Sequence, residues 1–323
     1  MEHTTVSIAD PILAAAAEKR VGPVLVALKP LDGNHSAVAM ACWLAERGHV
    51  ELHALSVVEM GDVGTAVAGV PPLPEEYYQH ERDEVASDLR ARVSNVAAGD
   101  MPFRVDVMEG PPSSTVAHLG RDRGASVVVV GTGRHGILGR FLYGERALEV
   151  VRNAVGPVLV VPPKQAPPIQ RAIVAVDFSQ ASLRAASSAL ELLSAGSRLT
   201  LVHVETGMRL ADDHAGKHDE EYERRTRTMF VQFAAALPAS PGVTLDTTVL
   251  RGDAPAALLR FAKEHGVQLI ACGRRRHSLV ERLLVGSVST ALVRAAPCSV
   301  LVAPAESDDS QLDGGVDLSA AST

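Results

Sequence analysis

Short runs of consecutive apolar residues alternate along this chain with segments of helical periodicity, and the succession occurs twice. In the first pass the run Pro23–Leu28 (PVLVAL) leads to His35–Glu46, whose apolar positions recur at helical spacing and which Gly48 closes as a C-cap. Leu52–Val58 reads as a second strand. A charged amphipathic helix spans Glu75 to about Val96, and Phe103–Met108 alternates as a strand. A helix from about Ser113 to Arg123, the strand Val127–Val130, a helix from about Arg146 to Asn153 and the strand Val158–Val161 complete the pass. In the second pass, strands at Ala172–Val176, Leu199–Val204, Thr244–Leu250, Val267–Ala271 and Ser299–Ala303 alternate with helices near Ala181–Leu193, Asp219–Leu237, Pro255–Glu264 and Val288–Arg294. Val- and Leu-rich runs without polar alternation are the mark of strands covered on both faces. Strands alternating with helices predict an open parallel sheet wound with helices on both sides.

The two passes keep register. Gly131 matches Gly273, Gly144 matches Gly286 and Pro162 matches Pro304, each pair 142 residues apart (273−131), whereas Ala27 and Ala175 are 148 apart (175−27). The first copy therefore carries about six extra residues, which we assign to the Gly/Pro-rich segment 61–74. The expected fold is α/β: two tandem doubly wound, Rossmann-like open parallel sheets of five strands each. The expected organisation is an arm over 1–20 with a helical turn near Ile12–Lys19, a unit over 21–163 and a stiff Pro-rich linker over 164–170. A second unit over 171–305 and an acidic, disordered tail over 306–323 follow.

Composition narrows the function. A net charge of −7 and a pI near 5.9 leave no general basic face for nucleic acid, and aromatic residues make up only 3% of the chain, few platforms for stacked bases. No run approaches the length needed to span a bilayer, and the N-terminal segment lacks a positive region ahead of its short apolar patch, so no membrane role and a cytoplasmic location are expected. Cys42, Cys272 and Cys298 lie in apolar surroundings without CxxC spacing, which predicts buried free thiols and neither disulfide nor zinc. Charged residues in Glu75–Arg92 and Asp219–Arg227 read as solvated helix faces.

Ligands of such sheets sit beyond the carboxyl ends of the strands. That places the candidates at Asp177 and Ser179, His203 to Thr206, Gly252 and Asp253, and the loop from Gly273 to Ser287. Their counterparts in the first copy are Lys29, Ser56 to Glu59, Gly110 with Pro111, and the loop from Gly131. Glycines let a backbone approach an anion, and a helix beginning at Gly286-Ser287 presents free N–H groups to it. Ser287 serves either a phosphate oxygen or its own helix as a cap. His135 and His277 occupy matching loop places without a partnered nucleophile, so no catalytic set and no metal-ligand set emerges.

These residues resemble the universal stress protein family and its tandem members, whose sheet architecture is that of the adenine nucleotide alpha hydrolase-like fold. That family's nucleotide loop reads G-x2-G-x9-G-[ST], with an Asp at the end of the first strand facing adenine. Gly273, Gly286, Ser287 and Asp177 match it, and the resemblance implies that Ser179, Val204, Gly252, Arg275, Arg276 and Val288 line the same site. Arg276 and Arg134 stand at the second glycine position in the two copies, while Lys29 replaces the Asp and Glu145 the Ser/Thr in the first. A carboxylate at Glu145 occupies the anion seat at its own helix N-terminus. The implied protein is a non-enzymatic stress-response binder, with an ATP or AMP site in the second unit and a degenerate first unit. The resemblance also implies pairing through the last strand of each unit, giving an intrachain pseudo-dimer that itself dimerises. A ligand-free interaction module competes with this reading, and so does a nucleotide hydrolase using Asp177, Asp253 or Glu281.

Overall fold

The structure, a computed structural model, describes residues 6–7, 22–29, 35–58, 75–132, 144–206, 215–274 and 286–304. In the first half, strands β2 (Val24–Ala27), β3 (Leu52–Val58), β4 (Phe103–Glu109), β5 (Val127–Gly131) and β6 (Val158–Val161) alternate with α1 (His35–Gly48), α2 (Glu75–Ser94), α3 (Pro112–Asp122) and α4 (Glu145–Asn153). The second half repeats this with strands β7 (Arg171–Val176), β8 (Arg198–Glu205), β9 (Thr244–Arg251), β10 (Leu269–Gly273) and β11 (Ser299–Ala303). Its helices are α5 (Gln180–Leu192), α6 (Ala215–Ala235), α7 (Ala254–Glu264) and α8 (Ser287–Ala295). The apolar runs all became strands, and the predicted α/β order stands.

Each half is parallel, in the order β4-β3-β2-β5-β6 and β9-β8-β7-β10-β11, so the strand order reverses beside the first strand of each. The halves join edge to edge. β6 and β11 pair antiparallel, with Leu159 opposite Leu301, Val158 opposite Val302 and Val160 opposite Val300. Leu159 and Leu301 are themselves 142 residues apart (301−159), so the repeat places a pseudo-twofold axis on this pair. Both leucines are fully buried. A chargeless edge strand is a template for another strand, and here each half covers the other's.

Two cores flank the continuous sheet. One contains buried residues of α1, α2, α5 and α6, the other of α3, α4, α7 and α8, and both run through the two halves. On each face an arginine reaches across. Arg47 of α1 donates to Glu191 O at 2.7 Å and to Leu193 O at the end of α5. Arg274, after β10, donates to the carbonyls of Val151, Arg152 (2.9 Å) and Ala154 (3.1 Å) at the end of α4. Cations are favoured where a helix presents its last carbonyls.

Several expectations change in detail. Helix α1 runs through Gly48, and His49 takes the left-handed position (φ 51°), with Val50 N–H donating to Ala45 O and His49 N–H to Glu46 O. The local turn accepts a side chain, so the glycine one residue earlier was no guide. Within the arm, Val6–Ser7 form a two-residue strand β1 antiparallel to β9; the helical turn near Ile12–Lys19 and the tail 306–323 lie outside the described residues. Ile169, in the linker, is fully buried against the first of the two cores, which ties the linker to the fold. Among the described residues no helix is long and apolar enough to cross a membrane. The three cysteines are buried, and burial pushes each thiol up to about 12.

Candidate functional site

The carboxyl ends of β7 to β10 share one edge of the second half because the four strands are parallel and in register. After β7 the chain turns sharply at Phe178, a non-glycine residue in the left-handed region (φ 60°). The turn has a cause on each side. Asp177 Oδ1 accepts from the Ser179 N–H at 3.0 Å and from its hydroxyl at 2.5 Å, and Ser179 Oγ accepts from Ser182 N–H as the N-cap of α5. Phe178 packs with its ring centroid 4.9 Å from His203 and 5.2 Å from Phe230. The Ser179 hydroxyl, a candidate ligand group, organises the turn that presents Asp177, which is exposed.

His203 on β8, one of the candidate positions, packs against Phe178. Its Nδ1 lies 2.8 Å from Val176 O, a carbonyl that can only accept, so Nδ1 carries the proton and Nε2 accepts from the Tyr222 hydroxyl at 3.1 Å. Burial, with Glu205 nearby, holds the Tyr222 phenol above its ordinary value. Val204 points to the opposite face and packs against the core beside α7 and α8. After β9, Gly252 adopts φ 114° with open space where a Cβ would stand, and its N–H donates to Glu205 O at 3.0 Å. Asp253, a candidate acid for hydrolysis, is the N-cap of α7 and accepts from Ala256 N–H at 3.0 Å. Among the described residues no three His, Cys, Asp or Glu side chains gather as a metal site.

The loop glycines have different causes. At Gly273 a Cβ would stand 2.4 Å from the Ala181 carbonyl carbon and 2.5 Å from its oxygen, so this glycine lets α5 lie directly on β10. At Gly144, in the first half, the backbone is left-handed (φ 85°) and a Cβ would meet Val293 O of the second half at 3.3 Å. Gly286 has φ −54° and ψ 152°, and among the described residues a Cβ there would meet nothing nearer than Ser289 Oγ at 3.7 Å. Ser287, the first residue of α8, is exposed; the N-cap is Gly286, whose carbonyl accepts from Ser289 Oγ at 3.0 Å. Val288 follows it, half-buried against the α8 core. Arg275, Arg276, Glu281 and His277, with Arg134 and His135 in the first half, lie outside the described residues.

In the first half the matching helix begins with Glu145, whose Oε1 accepts from Arg294 Nε at 2.8 Å and ion-pairs with the same guanidinium at 2.6 Å. Glu145 is thus held by an arginine of the other half, a partner 149 residues away that no local pattern reveals. Lys29, in the place of Asp177, is exposed, and its carbonyl accepts from Arg92 at 3.0 Å.

Comparison with known proteins decides the family. The model of the universal stress protein family matches residues 21–162 and again 168–304. The chain belongs to the universal stress protein family. It is similar to the universal stress protein Rv2005c of Mycobacterium tuberculosis, 26% identical over 286 residues that cover 84% of this chain and 95% of that one. A universal stress protein from Archaeoglobus fulgidus shares the fold, with a TM-score of 0.62 at 18% identity over 90% of this chain and 98% of its own. A universal stress protein solved in complex with cAMP covers 45% of this chain and 99% of its own length, with 20% identity and a TM-score of 0.34. Two family matches in one universal stress protein chain agree with the two five-stranded halves of the sheet.

Proposed function

We propose that this universal stress protein acts in a stress response by binding ATP or AMP in its second half, without turnover, while its first half has no seat for nucleotide. The proposed contacts are Asp177 with the base, Val204 and Gly252 along the strand ends, and Gly273, Arg275, Arg276, Gly286, Ser287 and Val288 around the phosphates. Ser179 acts by holding Asp177. The proposed units are residues 21–163 and 171–305.

The observation that carries this reading is the contrast between Gly286 and Gly144. Backbone conformation and a close carbonyl require glycine at 144, whereas the backbone at 286 admits any L residue and, among the described residues, a Cβ there meets nothing nearer than Ser289 Oγ at 3.7 Å. Glycine at 286 puts no side chain over the start of α8, beside an exposed serine hydroxyl, an arrangement suited to an anion. In the first half that position is taken by a carboxylate paired with Arg294. Titration calorimetry with ATP and AMP tests the proposal: wild type gives heat that Asp177→Ala weakens and Gly286→Asp abolishes. No heat from wild type at about 1 mM nucleotide, a concentration that would reveal even millimolar affinity, refutes it.

One observation favours a ligand-free interaction module: the Asp177 carboxylate already accepts two hydrogen bonds from Ser179. Mass spectrometry of small molecules extracted from the purified protein separates the two readings. A co-purifying adenine nucleotide supports binding, and its absence together with silent calorimetry supports the module.

A further inference from the structure

Arg92, on the last turn of α2, is buried although it carries a charge, and only one edge of its guanidinium is used. Nη1 donates to Lys29 O at 3.0 Å and to Asp88 Oδ2 at 3.3 Å. Nε and Nη2, the two nitrogens of the other edge, are buried and have no hydrogen-bond partner among the described residues. Ser56 is in the same condition: it is 1% exposed, and its hydroxyl has no partner among them either. A buried polar group left unpaired costs more than an ordinary hydrogen bond contributes.

The two groups share a place in the fold. Ser56 lies on β3 between Ala54 and Val58, which belong to the core that α1 and α2 cover, and alternation along the strand puts its side chain on that face. Ala27 lies opposite Leu55 and Leu28 N–H donates to Leu55 O at 2.8 Å, which brings Ser56 beside Leu28, next to the Lys29 carbonyl that Arg92 holds. Helix α4, with Glu145 at its start, packs on the opposite face. In the second half the matching place is filled. Ala175 pairs with Val202 as Ala27 pairs with Leu55, so Ser56 corresponds to His203. That ring uses both its nitrogens and packs on Phe178, which in turn packs on Phe230 and Phe233 of α6. Where one half has aromatic rings with their polar atoms paired, the other has a hydroxyl and a guanidinium edge, both unpaired.

We propose that Arg92 and Ser56 form an oxyanion site in the first half, at the ends of β2 and β3 beneath α2, which takes a carboxylate or phosphate group. The Nε–H and Nη2–H of one guanidinium edge point the same way and meet two oxygens of one such group, and the Ser56 hydroxyl donates to the same anion. Asp88 stands at the other edge, on Nη1, where it orients the guanidinium and leaves the fork to the ligand. The site shares no residue with the proposed nucleotide contacts of the second half and does not rest on them.

The test melts the full-length protein, dialysed into chloride buffer, with increasing inorganic phosphate or acetate at constant ionic strength, and repeats the series by calorimetry. Gly286→Asp serves as a second background, because phosphate could also occupy the proposed seat at α8. The expected result is a saturable rise in melting temperature that persists in Gly286→Asp and is lost in Arg92→Met and in Ser56→His, which introduces the ring the second half carries. Ser56→Ala keeps the fork and raises the Kd about two- to tenfold, the effect of one hydrogen bond. If Arg92→Met does not fold, the two Ser56 variants carry the comparison. A response to phosphate alone assigns the site to phosphate groups, and one to acetate alone assigns it to carboxylates. No saturable response to either anion overturns the proposal. So does an equal response in the Arg92 and Ser56 variants, which marks an adventitious ion only, or a response lost in Gly286→Asp, which places the anion at α8.

Discussion

Replacing Gly273 by alanine adds a single methyl group at a place where the structure leaves no room. The new Cβ would lie 2.4 Å from the Ala181 carbonyl carbon, 2.5 Å from its oxygen and 2.7 Å from its Cβ. Two of these atoms are backbone of the first turn of α5, so no side-chain rotation relieves the contact. Restoring ordinary van der Waals separation requires α5 to retreat from β10 by about 1 Å, the step from those distances to a normal 3.5 Å contact. That helix also packs on β7 and β11 and contributes fully buried Ala185, Ala186 and Ala189, so the retreat loosens a row of close contacts. Overpacking of this kind costs about 1–3 kcal/mol. For a chain of this size the melting temperature falls by roughly 2–12 °C, at about 2–4 °C per kcal/mol. Differential scanning calorimetry of Gly273→Ala measures this, with Gly286→Ala as the reference, because that position tolerates a Cβ and its melting temperature stays within about 1 °C of wild type or rises slightly. A Gly273→Ala protein that melts with wild type would show that the helix does not lie on the strand as described.

Acid stability offers a second check. Hydrogen bonds from His53 (2.9 Å) and Arg104 (2.6 Å) hold the Glu51 carboxyl below its ordinary value, so its contribution is present at neutral pH and disappears as pH falls through the lowered value. Glu51→Gln should therefore melt below wild type at pH 7, by less than about 1 kcal/mol for a partly exposed pair, with the two curves converging below about pH 4; a constant gap across that range contradicts the assignment. The thiols give a third. With each raised to about 12 and buried, Cys42, Cys272 and Cys298 should resist an aromatic disulfide reagent at pH 8 in the native protein and all react once it is unfolded. Because unfolded thiols titrate near 8.5, the same shifts make stability decline as pH rises above that value. Rapid native labelling of any one of them refutes its burial.

Much of the fold was legible because its signals are local or periodic. Runs such as Val127–Val130 have no polar face, which only a doubly covered strand explains, and the 142-residue offset predicted matching loops. The same offset, applied to Leu159 and Leu301, coincides with the observed antiparallel pair. The cap at His49 was missed because left-handed backbone is tolerated by residues other than glycine when two hydrogen bonds close the turn. The surroundings of the candidate site were less legible. Ser179 and Glu145 were assigned from their place in a motif, and their partners, Asp177 for Ser179 and Arg294 for Glu145, appear only in the fold. Long-range partners leave no trace in spacing. The pair Glu51–Arg104 in the first half and Arg198–Asp246 in the second occupy matching positions with the charges exchanged, and neither is distinguishable from a solvated surface charge until the strands are laid side by side.

The contrast between the starts of α4 and α8 follows from the symmetry of the join. On a twofold axis a residue meets its own counterpart, so Leu159 and Leu301 face each other and the same side chain serves both halves. Away from the axis each contact occurs twice, between non-equivalent residues. In a dimer of identical chains a substitution enters both copies, so a carboxylate at the start of one helix stands at the start of both. A single chain with two halves escapes this constraint: Glu145 faces Arg294 in one contact while Ser287 stands at the corresponding place in the other. Arg274 against Thr132 is a further step of the same kind. The differences between the halves therefore lie around the pseudo-axis where a homodimer could not have kept them.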